Sequence, residues 1–284
     1  MTSDIGDGIF STGIYNMETW VIANQKGGVG KTTTTLTLGA LLASRGKRIL
    51  MVDLDPHASL TAYLKFDPDT AEGSVYEVLL SGQSINQNIK KTDIDNLYLL
   101  PASPALATLD RRLGTQQGAG TVLKKAVSQL VMEVDYVLVD CPPTMGILMV
   151  NALAAANFLI IPVQTEFLAL KGLERMKNTL AMITRARKIT IPTLIVPSLY
   201  DRRTRAGRDT LEMLRDIYTD DLWDLVIPID TQFRDASKKG MPLTALNIHA
   251  RGVIAYEALL DTILEMRGEE GVQRKAEIKE VQSL

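Results

Sequence analysis

Two lysines and three aspartates are the residues of this chain whose spacing most invites chemistry. Lys26 and Lys31 lie in Asn24-Gln25-Lys26-Gly27-Gly28-Val29-Gly30-Lys31-Thr32-Thr33, while Asp53, Asp55 and Asp140 stand at the ends of apolar runs. A glycine-rich turn lets backbone N–H groups close around phosphate oxygens, and a helix starting there leaves its first N–H donors unpaired. Gly27, Gly28, Val29, Gly30, Lys31, Thr32 and Thr33 are therefore expected to cradle phosphates. The common pattern G-x-x-x-x-G-K-[ST] fails at its first position, where Gln25 stands. The variant K-G-G-x-G-K-[ST]-[ST] fits, with Lys26 as a second lysine inside the loop.

Splitting or exchanging a nucleoside triphosphate takes more than a cradle. It needs a Mg²⁺ ligand on the loop, carboxylates around the ion and a group that orients the attacking water. Lys31 is placed to neutralise the β- and γ-phosphates, and the Thr32 hydroxyl to coordinate Mg²⁺. Asp140 fits an outer-shell magnesium carboxylate, Asp55 the group that polarises water, and Asp53 a group that steadies the ion. Any one of these aspartates could instead merely cap the helix that follows it. Three of them at strand ends beside such a loop favour the chemical reading.

The elements that must hold these residues follow from the apolar pattern. Trp20–Ala23 is a short buried strand before the loop, and a helix runs after it to about Ser44, stopped at Gly46. The strand Arg48–Pro56, ending in two carboxylates, comes next, so strand, turn, helix and strand form a βαβ unit with parallel neighbours. Asp53 and Asp55 then share one face at the C-terminal end of a strand, where open α/β sheets bind ligands. Further on, helices are expected over 58–81, 104–113, 122–130, 145–156, 168–187, 205–218 and 252–267. Strands are expected at 96–100, 136–140, 158–163, 193–196 and 225–227, and Gly114–Gly120 reads as a surface connector. The alternation predicts a doubly wound, mainly parallel α/β sheet flanked by helices, one domain over 18–267. A flexible tail over 1–17 and a charged one over 268–284 complete the expected organisation.

Composition narrows the class. An apolar share of 46% and a charged share of 23% over 284 residues describe an ordinary globular chain with enough length for a large core. The net charge of −2 means that any nucleic-acid contact rests on a local basic patch. Cys141 is the only cysteine, which excludes an internal disulfide, fits a reducing cytoplasmic compartment and leaves too few thiolates for a shared iron–sulfur cluster. With only His57 and His249 there is no His/Cys zinc set either. No run is long and apolar enough to span a membrane, and Met1–Met17 lacks the basic start and apolar stretch of a secretory signal.

With K-G-G-V-G-K-T-T (Lys26–Thr33), D-L-D-P (Asp53–Pro56) and D-C-P-P (Asp140–Pro143) in hand, the chain resembles the deviant Walker A ATPases of the ParA/MinD family from Trp20 to Arg267. The resemblance implies a P-loop NTPase fold and slow, dimer-coupled hydrolysis of ATP with Mg²⁺. It makes Lys26 the signature lysine that reaches the partner's phosphates in an ATP-dependent homodimer, with Gly27 at the dimer contact. Lys31 and Thr32 carry the loop roles above, Asp55 activates water and Asp140 is the Walker B carboxylate. Pro228, in Val226-Ile227-Pro228, falls where that family lines its adenine pocket.

Several stretches resemble the ParA-like proteins encoded among chemotaxis genes, called ParC: 55–61, 163–176, 200–204, 229–240 and 251–256. That resemblance implies polar localisation of chemosensory arrays through a ParP-like adaptor protein and a polar anchor protein. It also implies non-specific DNA contacts through Arg203, Arg205, Arg234 or Lys238, with the chain enriched at a pole and on the nucleoid. Gln232 departs from the family pattern at a usual arginine position, and the basic clusters are also consistent with a solvated charged face. A MinD-like role would need an amphipathic C-terminal helix, whereas Glu269, Glu270, Glu277 and Glu280 would repel anionic lipid, so no direct membrane insertion is expected. Two other readings share the scaffold: a plasmid or chromosome partition ATPase, and a metabolic ATP-dependent transferase or synthetase.

Overall fold

A computed structural model describes residues 17–69, 73–113, 118–167 and 169–269, except for the side chains of Asp110 and Arg187. Residues 1–16 and 270–284 of the two expected tails, and 114–117 of the expected connector, lie outside the described residues.

Seven strands form one sheet: β1 (Glu18–Ile22), β2 (Ile49–Asp53), β3 (Lys90–Lys91), β4 (Leu97–Leu100), β5 (Tyr136–Asp140), β6 (Phe158–Gln164) and β7 (Thr193–Ser198). Their order is β3-β4-β2-β5-β1-β6-β7, all parallel except the antiparallel β3–β4 edge. The doubly wound α/β expectation is met. β1 is central, and the chain turns one way from it to β2 and the other way from β5 to β6, so the loop after β1 opens at a topological switch point.

Alternation along each strand builds two cores. Trp20, Ile22, Ile49, Met51, Tyr136, Leu138, Phe158 and Ile160 point to one face. Val21, Leu50, Val52, Val137, Val139, Leu159 and Ile161 point to the other. Being buried on both faces, these strands need unbroken apolar runs. Helix α1 (Lys31–Ser44) lies close enough to the sheet that a Cβ on Gly39 would sit 3.2 Å from Met51 Sδ and 3.3 Å from Leu138 Cδ1.

The segment expected as one helix over 58–81 is two. Helix α2 (Ser59–Tyr63) stops at Leu64 and Lys65, and Lys65 takes φ +63. After Gly73 at φ +80, α3 (Val75–Ser81) starts afresh from a capping box in which Ser74 and Glu77 satisfy each other's ends. A short α4 (Ile85–Asn88) and β3 follow, neither expected. The stretch 104–113 is a 3₁₀ turn (Pro104–Thr108) running into α5 (Leu109–Leu113). Then come α6 (Val122–Val127), α7 (Ile147–Ala155), α8 (Ala169–Arg187) and α9 (Arg205–Ile217), near their expected places.

The strand expected at 225–227 is absent. The chain bonds to the outer edge of β7 through Asp221 O, Trp223 N and Ile227 N, and only isolated bridges form, at Leu222 and Pro228. Leu225 and Val226 bow outward between those anchor points to line a cavity. The edge of β7 is thereby covered without an eighth strand. Beyond it lie α10 (Gln232–Lys239), α11 (Leu243–Leu246) and α12 (Arg251–Met266), the first two unexpected.

The start of β1 is clamped to the end of α12. Arg267 donates to both Glu18 oxygens at 2.6–3.0 Å, and Trp20 Nε1 donates to Glu18 Oε2 at 2.8 Å. Replacing Arg267 with Ala leaves a largely buried carboxylate short of its cation, and the expected loss in urea unfolding is about 2–3 kcal/mol.

Candidate functional site

Gly30 precedes α1 at φ +92 and Gly28 lies at φ +74, a region in which a side chain would be strained. A Cβ added at Gly27, Gly28 or Gly30 would meet nothing within 4 Å, so the space beside the loop at these positions is open. The loop is tied down from several elements. Ser198 Oγ at the end of β7 donates to Val29 O at 2.8 Å, Thr35 Oγ1 to Lys31 O at 3.1 Å, and Asn24 Nδ2 to Pro162 O at 2.7 Å. Asn24 Oδ1 in turn accepts from Lys26 N at 3.0 Å. Thr33, on the first turn of α1, is half-buried at the rim.

The two lysines part ways. Lys31 is buried, and its Nζ donates to Lys26 O at 3.1 Å across the loop. Burial pushes its pKa below the ordinary lysine value, against the pull of Asp140, Cys141 and Asp55. Lys26 instead turns its ammonium outward onto Glu166, just after β6, and donates to Gln164 Oε1 at 3.2 Å.

The aspartates gather at the same end of the sheet. Register places Asp53 directly beside Asp140 on β2 and β5. Asp140 Oδ2 accepts from Thr32 Oγ1 at 2.7 Å, and Asp140 Oδ1, fully buried, has no partner. An orphaned carboxylate oxygen next to a loop hydroxyl is what a Mg²⁺ ion or its water shell would satisfy, so the residues present fit that ion. Burial, and then the neighbouring Asp53, push the Asp140 carboxyl well above the usual carboxylate range.

Asp53 is spoken for differently. Its Oδ2 accepts from Thr61 N at 2.9 Å and Thr61 Oγ1 at 2.7 Å, and its Oδ1 from Asp55 N at 3.1 Å. It thus braces the loop that carries Asp55, and its bonded oxygens make it a weaker ion ligand than Asp140. Burial raises its pKa to about 6, partly offset by the Thr61 bonds. Asp55 itself accepts at Oδ1 from His57 N at 3.0 Å and lies 2.8 Å from His57 Nδ1.

Pro228 and Arg203, expected for the base and for DNA, share a cavity whose lining includes no residue of the cradle. Pro228 is half-buried, bridged to Tyr200, on the wall of an open cavity of ≈ 690 Å³ that also takes in Arg203, Asp230, Gln232 and Arg251. Arg203 is exposed, but its guanidinium is held by Asp201 through bonds of 2.9 and 2.8 Å. Arg205 pairs with Asp209, and Lys238 with Asp235. Arg234 is exposed and, among the described residues, makes no ion pair. Gln232, at the usual arginine position, is turned inward and links Asp230 to Asn247.

Sequence reasoning missed Thr61, Glu166 and Gln164. Thr61 was findable, because it lies eight positions after Asp53 at the start of a helix, where hydroxyl and N–H donors meet a carboxylate. Glu166 carried no signal, since its partner Lys26 is 140 residues away.

Comparisons with known proteins bear on the family and the fold. The family model AAA_31, described as an AAA domain, matches residues 17–192. The sporulation initiation inhibitor protein Soj of Bacillus subtilis is 35% identical over 236 residues, 83% of this chain and 93% of Soj. The chromosome partitioning protein ParA of Myxococcus xanthus is 33% identical over 239 residues, 84% of each chain. Among solved structures, cobyrinic acid a,c-diamide synthase from Mycobacterium smegmatis with bound ADP and magnesium superposes with a TM-score of 0.77 at 34% identity, covering 89% of this chain and 96% of the synthase.

The raised Asp53 carboxyl has a consequence for stability. Its folded pKa lies above the unfolded value, so it stabilises the fold at acid pH, and that stability is lost as pH rises through about 6. Between pH 5 and 7 the ATP-free protein should lose about 1 kcal/mol in urea unfolding from this group, and Asp53→Asn should show a smaller loss.

Proposed function

The chain belongs to the ParA/Soj family of P-loop ATPases, and from that premise we propose that it is an ATP-dependent dimerisation switch that positions cargo. It takes ATP and Mg²⁺, as the neighbouring solved structures with ADP or an ATP analogue and magnesium do. Gly27 to Thr33 wrap the phosphates, and Lys31, already half-stripped of water, meets them with an ammonium whose desolvation cost is paid in the fold. Thr32 and Asp140 would hold Mg²⁺, whose part is to neutralise charge on the phosphate oxygens. Asp55, braced by Asp53, orients the attacking water. Pro228 lines the base.

The observation that carries the switch is the divergence of the two lysines. Lys26 contributes its carbonyl to the loop and its ammonium to Glu166, so that ammonium is not committed to its own phosphates. A cation delivered to a partner's phosphates stabilises charge only in the dimer, which couples ATP binding to association and slow hydrolysis to release. Gly27, open at the rim, leaves room for the partner to approach.

For cargo, the stretches 163–176, 200–204, 229–240 and 251–256 support chemosensory arrays, reached through a ParP-like adaptor and a polar anchor protein. Such a protein would sit at a cell pole and on the nucleoid, holding DNA non-specifically through Arg203, Arg205, Arg234 and Lys238. Of these, Arg234 is the cation without a carboxylate to displace first. A second reading, a plasmid or chromosome partition ATPase, is favoured by the names of the similar Soj and ParA proteins. No helix among the described residues is long and apolar enough to cross a membrane.

Asp55→Ala should accumulate as an ATP-bound dimer and Lys31→Gln should stay monomeric with ATP, read by sedimentation velocity. Identical behaviour of the two variants contradicts the switch and favours a metabolic synthetase, which requires no ATP-induced dimer. Co-purification of the Asp55→Ala chain from cells with and without chemotaxis genes separates the cargo readings. An adaptor captured only in the first supports arrays, and a centromere-binding protein captured from both supports partition.

A further inference from the structure

Next to Asp55 stands a histidine that phosphate chemistry does not account for. The His57 side chain is 79% exposed, whereas that of Asp55 is only 13% exposed. The imidazole Nδ1 lies 2.8 Å from Asp55 Oδ1, the same oxygen that accepts from the His57 backbone N–H. The ring thus occupies the solvent side of the one carboxylate at this site that is neither deeply buried nor bonded into the fold through both oxygens.

We propose that His57 is a positioning residue that restrains Asp55, and that its protonation slows ATP hydrolysis on the acid side of neutrality. The inference rests on the reading of Asp55 as the group that orients the attacking water.

Both His57 contacts fall on one oxygen, Asp55 Oδ1. A neutral imidazole with its proton on Nδ1 gives Asp55 an ordinary hydrogen bond. An imidazolium gives it a charge-assisted one, roughly twice as strong. A carboxylate oxygen held that way is a poorer acceptor for the O–H of water and is less free to turn towards a γ-phosphate. Histidine is the ordinary side chain that gains a charge in mild acid. Asp55 would be held in acid and released as pH rises.

Other charges bear on the pair. Lys31 on α1, Asp53 at the end of β2, and Asp140 and Cys141 at the end of β5 interact electrostatically with Asp55. Among the described residues, no ionisable side chain other than Asp55 is in hydrogen-bond or ion-pair contact with His57. Asp53, raised to about 6, changes charge in the same range, so a pH profile of the wild-type chain alone would not isolate the histidine.

The test is therefore a ratio of rates. Hydrolysis of saturating Mg–ATP is measured for the full chain, His57→Gln and Asp55→Ala at intervals from about pH 6 to about pH 8, where histidine titrates. Glutamine can donate to Asp55 but cannot become a cation, and what Asp53 and Asp140 contribute divides out between wild type and His57→Gln. The ratio of the His57→Gln rate to the wild-type rate should fall about three- to fivefold from the acid to the alkaline end, the scale of an exposed ion pair. A ratio that is flat, or that rises with pH, overturns the proposal. His57→Asn repeats the measurement with a shorter neutral side chain, and a flat ratio there also counts against it. Asp55→Ala tells the two failures apart. If it is slow while the ratio is flat, only the role of His57 falls; if it hydrolyses like wild type, the role of Asp55 falls and takes this one with it.

Discussion

Two carboxylates lying side by side inside a dry sheet cannot both stay charged without a cation. Asp53 and Asp140 are paired across β2 and β5, each almost wholly buried, and each is pushed towards its neutral form. Thr61 meets the need of the first with two donors. The second receives one bond from Thr32 and keeps an oxygen with nothing to bind. The site is built with a deficit of positive charge, which a magnesium ion carried in with ATP is suited to fill. The fold bears that cost at the C-terminal ends of β2 and β5.

Positive charge is supplied in two different ways. Lys31 is inside the fold, its ammonium partly desolvated and directed across the loop. Lys26 lies five residues earlier and outside, engaged by Glu166 and Gln164. Its bond to Glu166 competes with any phosphate within its reach, whether its own or a partner's. The same logic of an engaged charge recurs on the wall of the cavity beside Pro228, where Arg203 is fastened to Asp201.

What could be read from the sequence was the part encoded locally. Unbroken runs such as Ile49–Asp53 and Tyr136–Asp140 announce strands buried on both faces, and an aspartate or a glycine turn at their ends marks the ligand side. The cradle and the three aspartates emerged together for that reason. Leu225–Ile227 looked equally strand-like, yet its middle bows away from β7, and three apolar residues carry no information about whether an edge will accept them. Helix α10 was hidden because its anchor is thin: Phe233 and Ala236 on one side, with charged residues elsewhere. The break between α2 and α3 was in fact written in the chain, as Gly73 followed by the Ser74–Glu77 capping box. Contacts spanning much of the chain, Lys26 to Glu166 above all, exist only after folding.

The central claim is that one chain's Lys26 serves another chain's ATP. It is met most directly by the crystal structure of the Asp55→Ala protein with saturating Mg–ATP. The account predicts a two-fold pair in which Lys26 has left Glu166 and its ammonium lies on the partner subunit's phosphates. A single subunit with ATP in its cradle and Lys26 still on Glu166 would contradict it.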